Sequence, residues 1–362
     1  MKTYEQFWRE LAPAYPVSKG EMRVPIVTTL QTLPGVDMSQ VLQNLQTLLE
    51  DMLENPAITS SAVERAVAAG ESDLAPLITT DYTGVVRFDC VLDAAGAVKV
   101  LELNADYPDG LLLHYATYRT LTNTPCSLHT DAYLQFFAEQ TNIHISHPPE
   151  AGFLDAYYVE KLALEASGHV VSIGATPSSD ATVWHRRCTE VSKMSSAELQ
   201  SWSGLQAQHI NSFALRTLGY KDLLASGTHP YVPRTLLLDP RHLSEVIASR
   251  AQWVLKPANG CEGQGIYFGK DYTDDGWQTL VGQLSTGYIA QEFVTLPQRT
   301  VSIYMNERIE ERHLFYDFCP HFFIQSGKVV GSGHVLMRFS QSPVVNVSQG
   351  GAIGYHQVTS TQ

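Results

Sequence analysis

Residues 84–106 read GVVRFDCVLDAAGAVKVLELNAD, and this stretch decides the fold. Two runs of alternating, largely aliphatic residues flank the small and polar residues 93–97, which is typical of a β-hairpin. Side chains two apart in a strand project from one face. Arg87 and Asp89 therefore share a face, as do Glu102 and Asn104.

The polar residues of this hairpin predict a magnesium site. With the turn centred between residues 95 and 96, Asp89 lies opposite Glu102 and Arg87 lies opposite Asn104. Two carboxylates directly across a hairpin repel by roughly 0.2–1 kcal/mol unless a cation lies between them. Their hard oxygens, with the Asn104 carbonyl, suit Mg²⁺, and Arg87 beside them would hold phosphate oxygens. The alternative is a solvated strand face with ordinary surface ion pairs.

Residues 253–268, WVLKPANGCEGQGIYF, combine an apolar strand with a glycine-rich loop. Lys256 ends the strand, and a buried lysine needs an anionic partner. The loop residues Gly263, Gln264 and Gly265 can fold over phosphates, because glycine allows a close backbone approach. Neither the P-loop nor the dinucleotide fingerprint is present. On its own the loop is better explained as a glycine-containing hairpin turn.

The order of motifs around this loop resembles the ATP-grasp superfamily over residues 211–295. TLGYKDLL (217–224) supplies Lys221, YVPRTLLL (231–238) follows, and GYIAQEFV (287–294) comes after the loop. The resemblance implies that Lys221 and Lys256 contact the phosphates of ATP. It also implies that the backbone of four consecutive residues reads the adenine edge: Gln291, Glu292, Phe293 and Val294.

A second resemblance joins the two halves of the chain. Residues 338–351, RFSQSPVVNVSQGG, are similar to the Arg, Asn and Gly-Gly segment that many ATP-grasp ligases place just before their metal-binding strands. Here the matching Asp and Glu-x-Asn lie in the N-terminal hairpin, which is the order of a circular permutation. The synthetase part of glutathionylspermidine synthetase has such a fold. By this resemblance Arg87 and Arg338 are catalytic, and Asn346 lines the acceptor side.

The chain also departs from that synthetase. It is short, it has no fused amidase, and it shows no acidic cluster that could be assigned to a polyamine site. Glutathione and spermidine are therefore not inferred as substrates.

The coarse architecture is α+β with α/β elements. Apolar positions repeat at helical spacing over residues 38–54, and a second helix is expected to start at Ser60 or Ser61. We divide the chain into N-terminal helices with the metal-binding hairpin (1–145), a small α/β layer like the one preceding ATP-grasp domains (146–210), and the ATP-grasp nucleotide-binding region (211–362). The last region is expected to pack with the hairpin at 84–106.

Composition restricts the partners and the compartment. The 24 Lys and Arg against 37 Asp and Glu give a net charge of −13, which repels nucleic acid and anionic membrane surfaces. Five scattered cysteines form no Cys-x-x-Cys pair, so a reducing cytoplasm is expected. Neither a secretory signal nor a membrane-spanning stretch is read, and the oligomeric state stays open.

The predicted function is an ATP- and Mg²⁺-dependent carboxylate-amine ligase. Its two substrates would be an amine acceptor and a small-molecule carboxylate, and the carboxylate would be an amino acid or a peptide. Three alternatives remain open at this point: an ATP-dependent phosphotransferase, a non-catalytic nucleotide sensor or scaffold, and a ligase acting on a peptide or a carrier-bound amino acid.

Overall fold

The computed structural model describes residues 25–356, apart from 107, 109–127, 147–159, 162–163, 166, 175–176, 179, 186–198, 200–201, 203–204, 206, 226–228, 261–262, 285–286, 307 and 348–349. The helices of this part are α1 (Met38–Glu54), α2 (Pro56–Thr59), α3 (Ala62–Ala68), α4 (Leu128–Phe137), α5 (Phe213–Arg216), α6 (Leu243–Ala248) and α7 (Asp274–Gln283). Its strands are β1 (Ile26–Val27), β2 (Gly84–Leu92), β3 (Val98–Asn104), β4 (Asn142–Ser146), β5 (Val170–Gly174), β6 (Thr182–His185), β7 (His209–Ile210), β8 (Thr235–Leu237), β9 (Trp253–Pro257), β10 (Tyr267–Phe268), β11 (Tyr288–Glu292), β12 (Gln298–Met305), β13 (Arg308–Gln325), β14 (Lys328–Ser340) and β15 (Ala352–Tyr355).

Helix α1 has one apolar face, as its sequence periodicity predicts. Asp37 caps its first turn by accepting hydrogen bonds from the backbone N–H groups of Ser39 and Gln40 at 3.0 and 3.3 Å. The residue before Pro56 cannot easily continue a helix, so α1 ends there. Buried side chains including Leu45 pack into the main hydrophobic core. Burying one leucine contributes roughly 1.5–3 kcal/mol.

The largest sheet has seven strands in the order β12-β1-β15-β14-β13-β2-β3, and β12 also pairs with β13. The hairpin of residues 84–106 forms β2 and β3 at one edge. Its β2 pairs with the long strand β13, with Phe318 opposite Cys90 and His321 opposite Arg87. The N-terminal hairpin therefore belongs to the same sheet as the C-terminal strands.

One face of this sheet packs on the main core, and the opposite face, which we call the polar face, carries charged residues together with a smaller apolar cluster that includes Cys319 and Leu336. Phe88 and Cys90 of β2 and Phe318 of β13 pack with α1 in the main core. The alternate positions, among them Arg87, Asp89 and their neighbours on β13, project from the opposite face, because strand side chains alternate. Every residue of β2 is buried. The polar residues of the hairpin thus do not lie on a solvated face.

A four-stranded antiparallel sheet, in the order β10-β9-β11-β8, carries the predicted nucleotide strands. Trp277 and Val281 of α7 and Val246 of α6 pack against its Leu255 and Ala290. The apolar strand predicted at the start of residues 253–268 is β9.

The third sheet is parallel and four-stranded, in the order β5-β4-β6-β7. It runs from residue 142 to residue 210, and so includes β4 as well as the predicted 146–210 layer. In α4, Tyr133 and Phe137 contact Trp184 of β6, while Phe136 contacts Phe323 of β13. Helix α4 thereby joins the parallel sheet to the large sheet.

No helix of the described part combines the length and the apolar character needed to cross a membrane.

Candidate functional site

The hairpin pairs its polar residues as the sequence predicts. Asp89 lies opposite Glu102, and Arg87 lies opposite Asn104. The turn itself is centred on Ala95, half a residue from the predicted centre, because the Asp93 side chain accepts from the N–H groups of residues 95 and 97 at 2.9 Å. A register shift between Asp89 and Cys90 restores the predicted pairing.

Four charged side chains meet on the polar face of the large sheet. Arg87 donates through Nε and Nη2 to Asp89 at 2.8 and 3.3 Å. Arg338, from β14, donates through Nη2 to the other side of Asp89 at 2.8 Å. It also donates through Nε to both oxygens of Asp317 at 3.1 and 3.2 Å. We call these residues (Arg87, Asp89, Asp317, Arg338) the charged quartet.

Burial and charge act in opposite directions on the two acids of the quartet. Burial alone would raise the pKa of Asp89, but the adjacent charges of Arg338 and Arg87 lower it below its usual value. For Asp317, burial raises the pKa by more than Arg338 lowers it. Asp89 is therefore ionised at neutral pH, which is the form of a carboxylate that binds a cation.

A second cluster lies beside the quartet, where the small sheet meets the hairpin. Lys221 lies 3.4 Å from a Glu102 oxygen and donates to the Gly260 carbonyl at 2.6 Å. Lys256 donates to the Leu101 carbonyl at 3.3 Å. Burial lowers the pKa of Lys256 to about 8, and Glu102, Lys221 and Asp89 also affect it. The two clusters therefore share one electrostatic environment.

The three predicted metal ligands, Asp89, Glu102 and Asn104, offer the oxygen donors that Mg²⁺ prefers. Asp89 and Glu102 are cross-strand partners, and Asn104 has a buried side-chain nitrogen without a hydrogen-bond partner. Within the described residues, no group of three or more His, Cys, Asp or Glu could hold a metal ion. Mg²⁺ usually takes one or two carboxylates plus substrate phosphates rather than an all-protein cage. The donor set fits such a shared site, completed by phosphate oxygens.

The glycine loop lies against the C-terminal segment. Gly263 and Gly265 have φ angles of +72° and +69°, which favour glycine. A Cβ on Gly263 would lie 2.7 Å from Val344 Cγ1. Gln264 between them is exposed. Asn346 follows shortly after Val344, so the structure places the predicted loop and the predicted acceptor segment next to each other.

The predicted adenine-reading segment is partly occupied by backbone pairing. The N–H of Glu292 donates to the Arg234 carbonyl at 2.8 Å, and the N–H of Phe293 donates to the Gln252 carbonyl at 2.7 Å. These two donors are not free for a base. A base edge would then be read by carbonyl groups and by the Val294 N–H. The Gln291 side chain is almost fully buried, at 1% exposure.

Sequence reasoning missed three features around the site. Asp317 is one of three acids in the 18-residue strand β13, and only the fold places it beside Arg338. Asn211 donates to the carbonyls of Val85 and Ala105 at 2.6 and 2.7 Å, which ties the hairpin to the residues before α5. The only sequence signal for Asp317 and Asn211 was a charged or an amide side chain among apolar neighbours.

The third missed feature is a buried ion network behind the hairpin. Arg216 donates to Glu71 at 2.7 Å and to Asp106 at 3.0 Å, and Tyr220 also donates to Glu71. Asp106 closes the Asn-Ala-Asp motif of the hairpin. The network therefore fixes the end of β3, where Asn104 lies, against the N-terminal helices.

Comparison with known proteins shows the fold and nothing finer. No protein-family model matches the sequence, and no curated protein matches it. Among solved structures, a glutathione synthetase-like effector from Globodera pallida, in its apo form, is similar with a TM-score of 0.62 at 11% identity. The match covers 93% of this chain and 90% of the effector. The chain thus shares the mixed α/β fold of a glutathione synthetase-like protein over nearly its whole length.

Proposed function

We propose that this protein is an ATP-dependent carboxylate-amine ligase that binds MgATP between the hairpin and the small antiparallel sheet. The observation that carries the proposal is the meeting of Arg338 with Asp89, beside the pairing of Lys221 with Glu102. Segments distant in sequence thereby bring two guanidinium groups, two ammonium groups and hard oxygen donors to one place. Phosphate chemistry requires this combination of groups.

The finer fold relationship that we propose is to circularly permuted ATP-grasp ligases, such as the synthetase part of glutathionylspermidine synthetase. One observation supports it: the hairpin that carries the metal-ligand motif precedes the nucleotide strands in the chain, yet pairs with the C-terminal strand β13. The likeness to a glutathione synthetase-like effector supports a distant ATP-grasp-like relationship and does not bear on the permutation.

In the proposed site, the lysines bind the nucleotide phosphates. Lys221 and Lys256 supply positive charge from two directions, and the glycine loop of residues 263–265 closes over the phosphates. The residues 291–294 bind the adenine through their backbone. Mg²⁺, held by Asp89, Glu102 and Asn104, would neutralise phosphate charge.

The proposed reaction has two steps. First, a substrate carboxylate oxygen attacks the γ-phosphorus, the bond from that phosphorus to the β,γ-bridging oxygen breaks, and ADP leaves. Next, an amine attacks the acyl carbon, the acyl C–O bond breaks, and phosphate leaves while the nitrogen loses a proton. Arg87 and Arg338 stabilise the charge of the transferred phosphoryl group and of the oxyanion. Each arginine contributes about 3 kcal/mol, the magnitude typical of such donors. Asn346 lies on the acceptor side.

Closing the loop protects the acyl phosphate from water. Gly263 lies beside Val344, because a Cβ on Gly263 would lie 2.7 Å from Val344 Cγ1, so the loop closes next to the proposed acceptor segment. The carboxylate is proposed to be an amino acid or a peptide, and the acceptor a free amine.

A hydroxylamine screen tests this function without knowledge of the amine. Hydroxylamine replaces the acceptor and converts an acyl phosphate into a hydroxamate, which is detected as its coloured iron(III) complex, while ADP release is measured in parallel. Amino acids and short peptides are supplied as carboxylates. Hydroxamate formed together with ADP supports the ligase. A phosphoester product would instead indicate a phosphotransferase, and ATP binding without any turnover would indicate a sensor.

A further inference from the structure

The side chain of Gln291 forms a hydrogen-bonded chain across three strands of the small sheet. Its Oε1 accepts from Lys256 Nζ at 2.7 Å, and its Nε2 donates to Thr235 Oγ1 at 3.2 Å. Thr235 is the cross-strand neighbour of Gln291 on β8, and Lys256 lies on β9. All three side chains are buried.

The orientation of the Gln291 amide is fixed from both ends. The Thr235 hydroxyl donates its proton to the Pro233 carbonyl at 2.8 Å, so its oxygen accepts from Gln291. Lysine has three donors and no acceptor, so it must face the amide oxygen. The two constraints agree, and the amide cannot turn over without losing both bonds.

The acceptors of Lys256 are neutral. One is the Gln291 amide and the other is the Leu101 carbonyl, which lies next to Glu102 on β3. These bonds direct the ammonium but do not cancel its charge. Nearby charged groups act at longer range: Glu102 and Asp89 stabilise the charged form, and Lys221 opposes it. A lysine held in this way keeps its capacity to bind an anion.

We propose that Gln291 is a positioning residue whose side chain holds the Lys256 ammonium in its phosphate-binding orientation through a neutral acceptor and does not itself read the adenine base. This inference rests on the proposed nucleotide site. The neutral amide holds the Lys256 ammonium without cancelling its charge. A glutamate at position 291 would hold the lysine equally well, but it would neutralise the ammonium and repel phosphate.

The test compares ligands that differ in phosphate. Affinities for ATP and ADP are measured by calorimetry and that for adenosine by ligand-observed NMR, for wild type, Gln291→Met and Gln291→Glu. Both variants are expected to bind ATP and ADP at least about tenfold more weakly, while adenosine binding changes by less than about twofold. This magnitude corresponds to the ~1.4 kcal/mol of one tenfold step. Gln278→Met, at an exposed position on α7, is the matched control and should match wild type.

A double variant separates positioning from a merely structural effect. If Gln291 acts through Lys256, then Lys256→Met/Gln291→Met binds ATP no more weakly than Lys256→Met alone. Thr235→Val keeps both Gln291 and Lys256 and removes only the hydroxyl that orients the amide, so it should also weaken ATP binding. This variant serves as the test if Gln291→Met does not fold. Equal losses for adenosine and ATP, or multiplied losses in the double variant, would overturn the proposal. A folded wild type that binds none of the three ligands would instead reject the nucleotide site itself.

Discussion

Arg338 and Asp89 are 249 positions apart in the chain, and the Arg338 Nη2 lies 2.8 Å from an Asp89 oxygen. The contact joins the strand β14 near the C-terminal end of the described residues to the hairpin strand β2. Arg338 is held at the same time by Asp317, its cross-strand partner on β13. The position of this guanidinium is thus set by two strands. If Asp89 bound a metal ion instead, the bonds to Asp317 would still hold the Arg338 guanidinium in place.

Replacing Arg338 by lysine should lower turnover much more than nucleotide affinity. Lysine keeps the charge but lacks the planar fork with which Arg338 binds Asp317 through Nε and Nη2 while Nη2 also reaches Asp89. We expect ADP release with a productive carboxylate to fall by about 10²-fold, the scale of losing one oriented donor. Arg87→Ala should behave in the same way. Arg241→Lys, at an exposed position, is the control. An unchanged rate with weakened ATP binding would assign Arg338 to the nucleotide instead.

ATP affinity should fall as pH rises above about 8. Lys256 loses its proton near this pH because burial lowers its pKa to about 8. The affinity should decrease by up to about tenfold per pH unit, since one unit is 1.36 kcal/mol. Calorimetry between pH 7 and 9.5 measures this. Lys256→Arg stays charged and should give a flat profile.

Unfolding should not cause that loss of affinity. Between pH 8 and the ordinary lysine value of 10.5, an unfolded chain keeps the proton that folded Lys256 has released. The unfolded state then binds more protons, so the contribution of this group to stability rises with pH. A loss of binding that tracks a loss of helical signal would therefore contradict the assignment.

The glycine loop offers a steric test. In Gly263→Ala the new Cβ would lie 2.7 Å from Val344 Cγ1, in a backbone conformation of φ +72°. The loop must shift, so turnover should fall. Gly263→Ala/Val344→Ala removes the clash and should recover part of the rate, although the backbone strain remains. Gly96→Ala, with a similar φ and open space around it, controls for strain alone. The absence of any recovery in the double variant would mean that this contact does not limit closure.

How far the sequence predicts the structure differs between local and distant relationships. The pairing of Asp89 with Glu102 follows from alternation along two adjacent strands, and helix α1 follows from its repeat. The alternation of side chains along β2 does not predict that β13 is the strand that pairs with it on its other side. Asp317 could not be predicted, because its role depends on the register between β13 and β14.

The Glu71 and Arg216 pair shows the same limit and gives a stability prediction. Glu71→Gln leaves the buried Arg216 guanidinium without one of its two acids, which typically costs ~3–5 kcal/mol in the free energy of unfolding. Urea unfolding at pH 7 measures it, and Glu245→Gln in the exposed pair with Arg234 should leave the midpoint unchanged. The pKa of Glu71 is lowered because its bonds and charge contact with Arg216 outweigh burial. The difference should therefore shrink as pH falls below the ordinary glutamate range. Equal stabilities at pH 7 would show that the network is not strongly coupled to folding.

The most direct test of the central claim is a calorimetric titration of ATP with and without Mg²⁺, using wild type and Asp89→Asn/Glu102→Gln. Urea unfolding first establishes that the double variant is folded, because Asp89 is buried between two arginines. The account predicts magnesium-dependent ATP binding to wild type and a loss of that dependence in the double variant. Folded wild-type protein that binds no ATP, with or without Mg²⁺, would contradict the account.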